Sequence, residues 1–199
     1  MRGKLGIDID DCLLDTSSLI IKNLEKKVNR KIDINKITSF HIEENTGIDP
    51  DIVKRVVKET LESDYIPPVE NAVKTINWLG TLYKPIYFIS NKESYLYDNT
   101  INLINKVGIN IDYELYLCDK INNIPNKASI ILEKGIEMFI EDRVDTVEDI
   151  YNRTDCILLV PLKPWNKIWS HYVIFSKRIH MMENWIKIRN YFINNLMIK

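Results

Sequence analysis

In the stretch LGIDIDDCLLD, residues 5–15, a short apolar run breaks into a series of carboxylates. Short apolar runs bounded by polar residues are typical of buried strands in a parallel sheet. Ligands of open α/β sheets bind beyond the carboxyl ends of the strands. We therefore predict a first strand over residues 5–9, with Asp8 and Asp10 at the ligand-binding edge of a sheet.

Four further apolar runs lie downstream, at residues 86–89, 113–117, 138–140 and 156–160. Helical patterns at 95–107, 146–152 and 183–197 lie between or after them, and Gly108 is predicted to cap the first of these. In the last helix Trp185, Ile188, Phe192 and Leu196 recur near helical spacing and are expected to pack on the sheet. Strands that alternate with helices predict an α/β fold, here a Rossmann-like three-layer parallel sheet.

A long segment, residues 16–63, separates the first two predicted strands and is predicted to be helical throughout. Asp49 followed by Pro50 is a typical helix start. The segment is either additional core or a roof over the carboxyl ends of the strands, and its position directly after the first strand favours a roof. The predicted organisation is a catalytic core of residues 1–15 and 64–199, with a helical cap of residues 16–63.

Composition excludes several classes of function. The 199 residues carry 27 basic and 28 acidic side chains, a net charge of −1 that offers no general attraction for nucleic acid polymers or anionic membranes. The sequence contains neither a signal peptide nor an apolar stretch of the roughly 20 residues that a membrane span needs. Three scattered cysteines indicate neither a disulfide framework nor a zinc site. We expect a cytoplasmic protein.

Asp8 and Asp10 are two residues apart, so their side chains share one face if the strand persists. Two carboxylates that close repel each other unless a cation neutralises them, and Mg²⁺ suits a few carboxylates together with a substrate phosphate. Asp8 could then attack phosphorus, while Asp10 protonates the leaving oxygen and later activates water. The alternative is an acidic loop that caps the next helix.

Three later positions could hold a phosphate. Ser90 and Asn91 end the second predicted strand with a hydroxyl and an amide, although these types are also ordinary in turns. Lys127 opens a helical stretch, where a positive charge and a helix N-terminus together favour an anion. By itself, Lys127 is more typical of a surface lysine.

A second group of acids follows the strand at 138–140. Glu141 and Asp142 stand at its end, and Asp142 supplies a further carboxylate for Mg²⁺. Asp145 is as well explained by capping of the following helix. The chain thus carries, in order, a nucleophile and an acid (Asp8 and Asp10), a hydroxyl (Ser90), a lysine (Lys127) and a further acid (Asp142). Each follows a predicted strand or begins a helix near one sheet edge.

This ordered set resembles the haloacid dehalogenase (HAD) superfamily of phosphohydrolases over residues 5–160. The resemblance implies that Asp8 is the nucleophile and Asp10 the acid/base, with the Asp10 backbone carbonyl as a Mg²⁺ ligand. It implies that Ser90 and Lys127 bind the phosphate. The resemblance also implies that Asp142 is the third Mg²⁺ ligand, that Glu141 is an acid beside it, and that residues 16–63 occupy the place of a C1 cap.

Within the superfamily, three features are similar to the 5′(3′)-deoxyribonucleotidase branch. They are Asp15, the acidic pair followed by Arg143, and the segment PLKPWN at 161–166. One departure is Asp11, which stands where the superfamily commonly has glycine. Phe40 in the cap could stack on a nucleobase, although a buried core phenylalanine is the more common role.

The function expected from the sequence is a Mg²⁺-dependent phosphomonoesterase whose partner is a small phosphorylated metabolite, with a nucleoside monophosphate as first choice. A phosphatase for another metabolite, such as a sugar phosphate, is the second choice. A non-catalytic module that binds a phosphorylated ligand is the third. The sequence leaves open whether the chain forms a homodimer.

Overall fold

The computed structural model describes residues 3–39, 41–118, 127–171 and 176–196. Its strands are β1 (Lys4–Ile7), β2 (Ile86–Ser90), β3 (Tyr113–Leu117), β4 (Ile136–Ile140), β5 (Ile157–Pro161) and β6 (Ile179–Met182). Its α-helices are α1 (Thr16–Val28), α2 (Ile42–Thr46), α3 (Pro50–Leu61), α4 (Ala72–Leu79), α5 (Tyr97–Lys106), α6 (Lys127–Lys134), α7 (Val144–Arg153) and α8 (Trp185–Leu196).

The six strands form one parallel sheet in the order β3-β2-β1-β4-β5-β6. The chain starts in the middle of this sheet at β1, moves outward through β2 to β3, and returns to the other side of β1 with β4. Where the connections from two neighbouring strands run in opposite directions, a crevice remains between the loops that follow the strands, and ligands of such sheets bind there. The crevice here lies between the loops that follow β1 and β4.

Helices cover both faces of the sheet, and the central strand β2 is buried on both, since all five of its residues are buried. On one face, Ile86 and Phe88 of β2 join a buried cluster with residues of α4, α5 and α8. On the other face, Tyr87 and Ile89 join a cluster with residues of α6 and α7. The predicted three-layer α/β fold is confirmed, including the burial of Trp185 in α8.

Residues 16–61 form a separate helical unit above the carboxyl end of β1. Its helices enclose their own buried cluster, which consists of Ile20, Ile21, Leu24, Ile37, Ile42, Ile48, Val53 and Val56. The predicted helix start at Asp49 is confirmed, because its carboxylate accepts hydrogen bonds from the backbone amides of Asp51 and Ile52. The boundary of a cap domain at residues 16–63 stays a prediction.

The prediction that this segment is helical throughout is wrong between α1 and α2. Asn29 ends α1 in the left-handed conformation, with φ of 48°. Between Asn29 and α2 the described chain contains only a short 3₁₀-helix, Ile34–Lys36, which Asp33 caps. Side chains of Asp and Asn that bond to nearby backbone amides compete with helix formation, and this accounts for the break. None of the described helices has the length and apolar composition of a membrane span.

Candidate active site

The site forms where β1 and β4 end side by side. Asp8 follows β1 directly, and its backbone amide donates to the carbonyl of Ile140 (2.9 Å), the last residue of β4. Glu141 and Asp142 follow that residue, so parallel pairing brings three carboxylates from distant parts of the chain together. All three side chains are buried, with residue exposures of 5% for Asp8, 1% for Glu141 and 2% for Asp142.

Lys127 lies between two of these carboxylates. Its ammonium donates to Oδ1 of Asp8 and to Oε2 of Glu141, the latter at 2.6 Å. Burial alone would lower the pKa of this lysine, but the two carboxylates outweigh burial and hold its pKa above the usual value. Lys127 is therefore a permanent cation, fixed beside Asp8 at the start of α6.

Asp10 is held by contacts of a different kind. Its Oδ1 accepts a hydrogen bond from Thr16 Oγ1 (2.7 Å), and its Oδ2 accepts one from Ser90 Oγ (3.2 Å). The ammonium of Lys92 forms an ion pair with Oδ1 at 3.3 Å. These contacts fix the position of Asp10 next to Asp8, at the border between the sheet edge and α1.

Asp142 is held by the segment that follows β5. The indole of Trp165 donates to Asp142 Oδ2 (2.8 Å), and the amide nitrogen of Asn166 donates to its backbone carbonyl (2.9 Å). Asn166 is 0% exposed and also donates to the carbonyl of Pro161 (2.9 Å). The segment 161–166, whose sequence resembles a nucleotidase element, thus positions one of the acids.

Asp11, which stands where the superfamily that the sequence resembles commonly has glycine, adopts a conformation that suits glycine, with φ of 59°. Aspartate tolerates this region better than most residues when its side chain bonds locally. Its carboxylate accepts from the backbone amide of Ser17 (2.9 Å) and from the Ser17 hydroxyl (2.5 Å). The turn after Asp10 is therefore kept, and the new carboxylate caps the first turn of α1.

These groups form the floor of a cavity of about 270 Å³. Asp8, Ser90 and Lys127 are among its lining residues. The opposite wall comes from the helical unit and is largely apolar, with Ile20, Ile21, Ile34, Ile37, Ile42, Val57 and Leu61. The arrangement places a charged surface opposite an apolar one, so it suits a small ligand with an anionic end and an apolar or planar body.

A divalent cation fits the floor of this cavity. Ligand atoms of Asp8, Cys12 and Asp142 lie within 4.8 Å of one another. Burial raises the pKa of Asp8 and of Asp142 well above the usual value, which means that their ionised forms lack enough positive charge nearby. A bound cation would supply that charge. The Cys12 thiol donates to Asp142 Oδ1 at 3.7 Å, and burial raises its pKa. Hard ions prefer oxygen ligands to sulfur, so the two carboxylates are the better ligands for such an ion.

The remaining residues named from the sequence have separate positions. Asn91 lines the cavity beside Ser90. Arg143 also lines it, while its guanidinium pairs with Asp145 at 2.6 and 2.7 Å. Asp15 precedes α1 and does not contribute to the described lining. Phe40 lies outside the described residues.

Among the basic residues that line the cavity, sequence reasoning missed Lys92. A lysine two positions after a strand is ordinarily exposed, so its type and spacing give no signal of burial. Only the proximity of β2 to the loop after β1 brings its ammonium to Asp10.

Comparisons with solved structures place the fold among HAD hydrolases. A HAD family hydrolase from Deinococcus radiodurans R1 with bound phosphate and sodium superposes with a TM-score of 0.66 at 13% identity, over 96% of this chain and 95% of that one. A predicted phosphoglycolate phosphatase from Haemophilus somnus 129pt gives 0.62 at 12% identity, over 96% and 97%.

The HAD-hydrolase YfnB from Bacillus subtilis, bound to magnesium, gives a TM-score of 0.55 at 13% identity, over 98% and 100%. Dehalogenases are also among the matching structures. No protein-family model matches the sequence, and no curated protein matches it either. The chain therefore has the fold of HAD hydrolases, and these neighbours do not distinguish the deoxyribonucleotidase branch.

Proposed function

We propose that this chain, with the fold of HAD hydrolases, is a Mg²⁺-dependent phosphomonoesterase that acts through a phosphorylated Asp8. One observation carries the proposal: Asp8 is buried at the cavity floor between a fixed cation, Lys127, and a second carboxylate, Asp10, that faces the same space. A nucleophile, a proton carrier and a positive charge for the phosphate are thus combined in one cavity.

The chemistry follows from these positions. An oxygen of Asp8 attacks phosphorus, and the bond from phosphorus to the ester oxygen breaks as Asp10 gives that oxygen a proton. Asp10 then accepts a proton from a water molecule that attacks the aspartyl-phosphate, which releases phosphate and restores Asp8. Thr16 and Ser90 keep the Asp10 carboxylate oriented for both transfers, and Lys127 offsets the charge that develops on the phosphate oxygens.

The metal would be held by the carboxylates of Asp8 and Asp142 and by the backbone carbonyl of Asp10. Mg²⁺ in this place would neutralise the phosphate and lower the repulsion between it and Asp8. Trp165 and Asn166 keep Asp142 in position through the hydrogen bonds described above.

For the substrate we propose a nucleoside monophosphate. The wall opposite the phosphate subsite is mainly branched aliphatic, which suits the flat face of a base better than the many hydroxyls of a sugar, each of which requires a partner when buried. The cavity is small, close to the lower limit of roughly 300 Å³ that is common for ligand sites, which favours a small metabolite. We further propose that the helical unit moves as a cap that excludes water during the reaction.

Some of the structural neighbours are dehalogenases, and Asp10 argues for phosphate esters instead. A halide leaves without a proton, whereas the alkoxide of a phosphate ester requires one. A carboxylate fixed next to the nucleophile is therefore of more use with an ester than with a haloacid.

The test is product release from a panel of deoxyribonucleoside and ribonucleoside monophosphates, sugar phosphates and a 2-haloacid, with Mg²⁺ or with EDTA. We expect phosphate release that requires Mg²⁺ and is fastest with nucleotides. Asp8→Asn should abolish it, since an amide is not a nucleophile here, and Asp98→Asn on the exposed surface of α5 should leave it unchanged. Faster turnover of sugar phosphates than of nucleotides would refute the nucleotide as substrate and keep the phosphomonoesterase. Halide release without phosphate release would refute the phosphomonoesterase itself.

A further inference from the structure

Lys92 is a buried lysine whose ammonium makes no hydrogen bond among the described residues. Its side chain is 2% exposed and lines the cavity. The ammonium nitrogen is a buried polar atom without a hydrogen-bond partner, and its described ion pair is the 3.3 Å contact with Asp10. Lysine is almost never buried this way without further partners, because the loss of hydration costs several kcal/mol.

A comparison with Lys127 shows that the Lys92 ammonium lacks hydrogen-bond acceptors among the described residues. Lys127 donates to two carboxylates at hydrogen-bonding distance, so its charge is already shared between Asp8 and Glu141. An ammonium has three donors, and those of Lys92 lack acceptors with hydrogen-bonding geometry among the described residues. By the described contacts, Lys127 thus has one donor left for an anion, whereas Lys92 has all three available.

The residue that precedes Lys92 has a second buried polar atom without a hydrogen-bond partner among the described residues. The side-chain oxygen of Asn91 is also buried without a hydrogen-bond partner among the described residues. Ser90 is the last residue of β2, Asn91 and Lys92 follow it directly, and all three line the cavity. The end of β2 thus presents a hydroxyl, an amide and a cation to the space in front of Asp10.

We infer that Lys92 is a second cation of the phosphate subsite, and that it binds the oxyanion directly. The inference rests on the proposed function for the identity of the anion. A phosphate monoester carries a charge of about −1.5 to −2 at neutral pH. Five carboxylates and three basic side chains line the cavity, so a phosphate that enters it needs cations that the carboxylates have not neutralised. Lys92 meets that need next to Ser90.

The test compares binding of inorganic phosphate by calorimetry, in the presence of Mg²⁺, to the full chain and to two variants. Lys92→Met keeps the length of the side chain and removes the charge. We expect it to weaken phosphate binding by about 10- to 100-fold, the range for a hydrogen bond to a charged group. Lys54→Met, an exposed position on α3, should bind as the wild type does.

Urea unfolding of the same proteins separates this role from a structural one. If Lys92 serves to bind an anion, Met removes a buried charge and the variant is at least as stable as the wild type. Equal phosphate affinity in wild type and Lys92→Met, absence of phosphate binding in both, or a variant that is markedly less stable would overturn the inference. Phosphate binding that depends on Lys92 without turnover of any ester would instead refute the hydrolase and keep the anion site.

Discussion

Asn166 offers a quantitative test of how the site is built. Its side chain makes three hydrogen bonds in a fully buried place, to the carbonyls of Asp142 and Pro161 and from the backbone amide of Lys163, all at 2.9 Å. A buried hydrogen bond contributes about 1 kcal/mol net, so Asn166→Ala should lower the free energy of unfolding by about 3 kcal/mol. With a urea m-value of about 2 kcal/mol/M, the midpoint should fall by about 1.5 M.

The assay is equilibrium unfolding in urea, with Asn195→Ala as the control. Asn195 also donates to a backbone carbonyl (2.8 Å, Tyr191), but it is exposed on α8 and should cost no more than about 0.5 kcal/mol. Asn166→Ala should also reduce the Mg²⁺-induced rise in melting temperature, because Asp142 loses a positioning contact. Equal urea midpoints for the two variants would show that the buried hydrogen bonds of Asn166 do not stabilise the site.

Three further predictions concern parts of the fold outside the cavity. Gly6→Ala should destabilise the protein by about 1–3 kcal/mol in urea unfolding, because a Cβ there would lie 2.5 Å from the ring of Phe139. Burial lowers the pKa of His180, so the stability that its neutral form contributes is complete above about pH 6.5 and decreases as the pH falls below that value. Between pH 7.5 and 5.5, His180→Gln should therefore lose less stability in urea unfolding than the wild type does. Burial raises the pKa of Cys156 to about 12, and iodoacetamide at pH 8 should alkylate it only after denaturation.

Most of the sheet could be predicted because its strands are short apolar runs, and five of the six follow that pattern. β6 was missed since its sequence, IHMM, is four residues long and contains a histidine. It becomes a strand because β5 provides a paired edge for it, from Leu158 opposite Ile179 onward. Strand order likewise depends on how the chain returns to β1 with β4, which no local pattern records.

The candidate site shows the same division between local and distant information. Asp8 and Asp10 were identified because two carboxylates at a strand end need a common explanation. Lys92 and Asn166 were not assigned roles in it, because each depends on a partner that is distant in the sequence. The break between α1 and α2 was missed for a local reason. Apolar periodicity was given more weight than the tendency of Asp33 to cap a new helix.

The most direct test of the central claim is to identify the phosphorylated residue. The protein is mixed with an intact nucleotide that it hydrolyses and that carries a radioactive phosphate. The mixture is quenched in acid within one turnover, and the protein is digested for mass mapping. We expect an acyl phosphate on Asp8 that forms in the wild type and is absent in Asp8→Asn. Hydrolysis at the normal rate by Asp8→Asn, or a label on any other residue, would contradict the central claim.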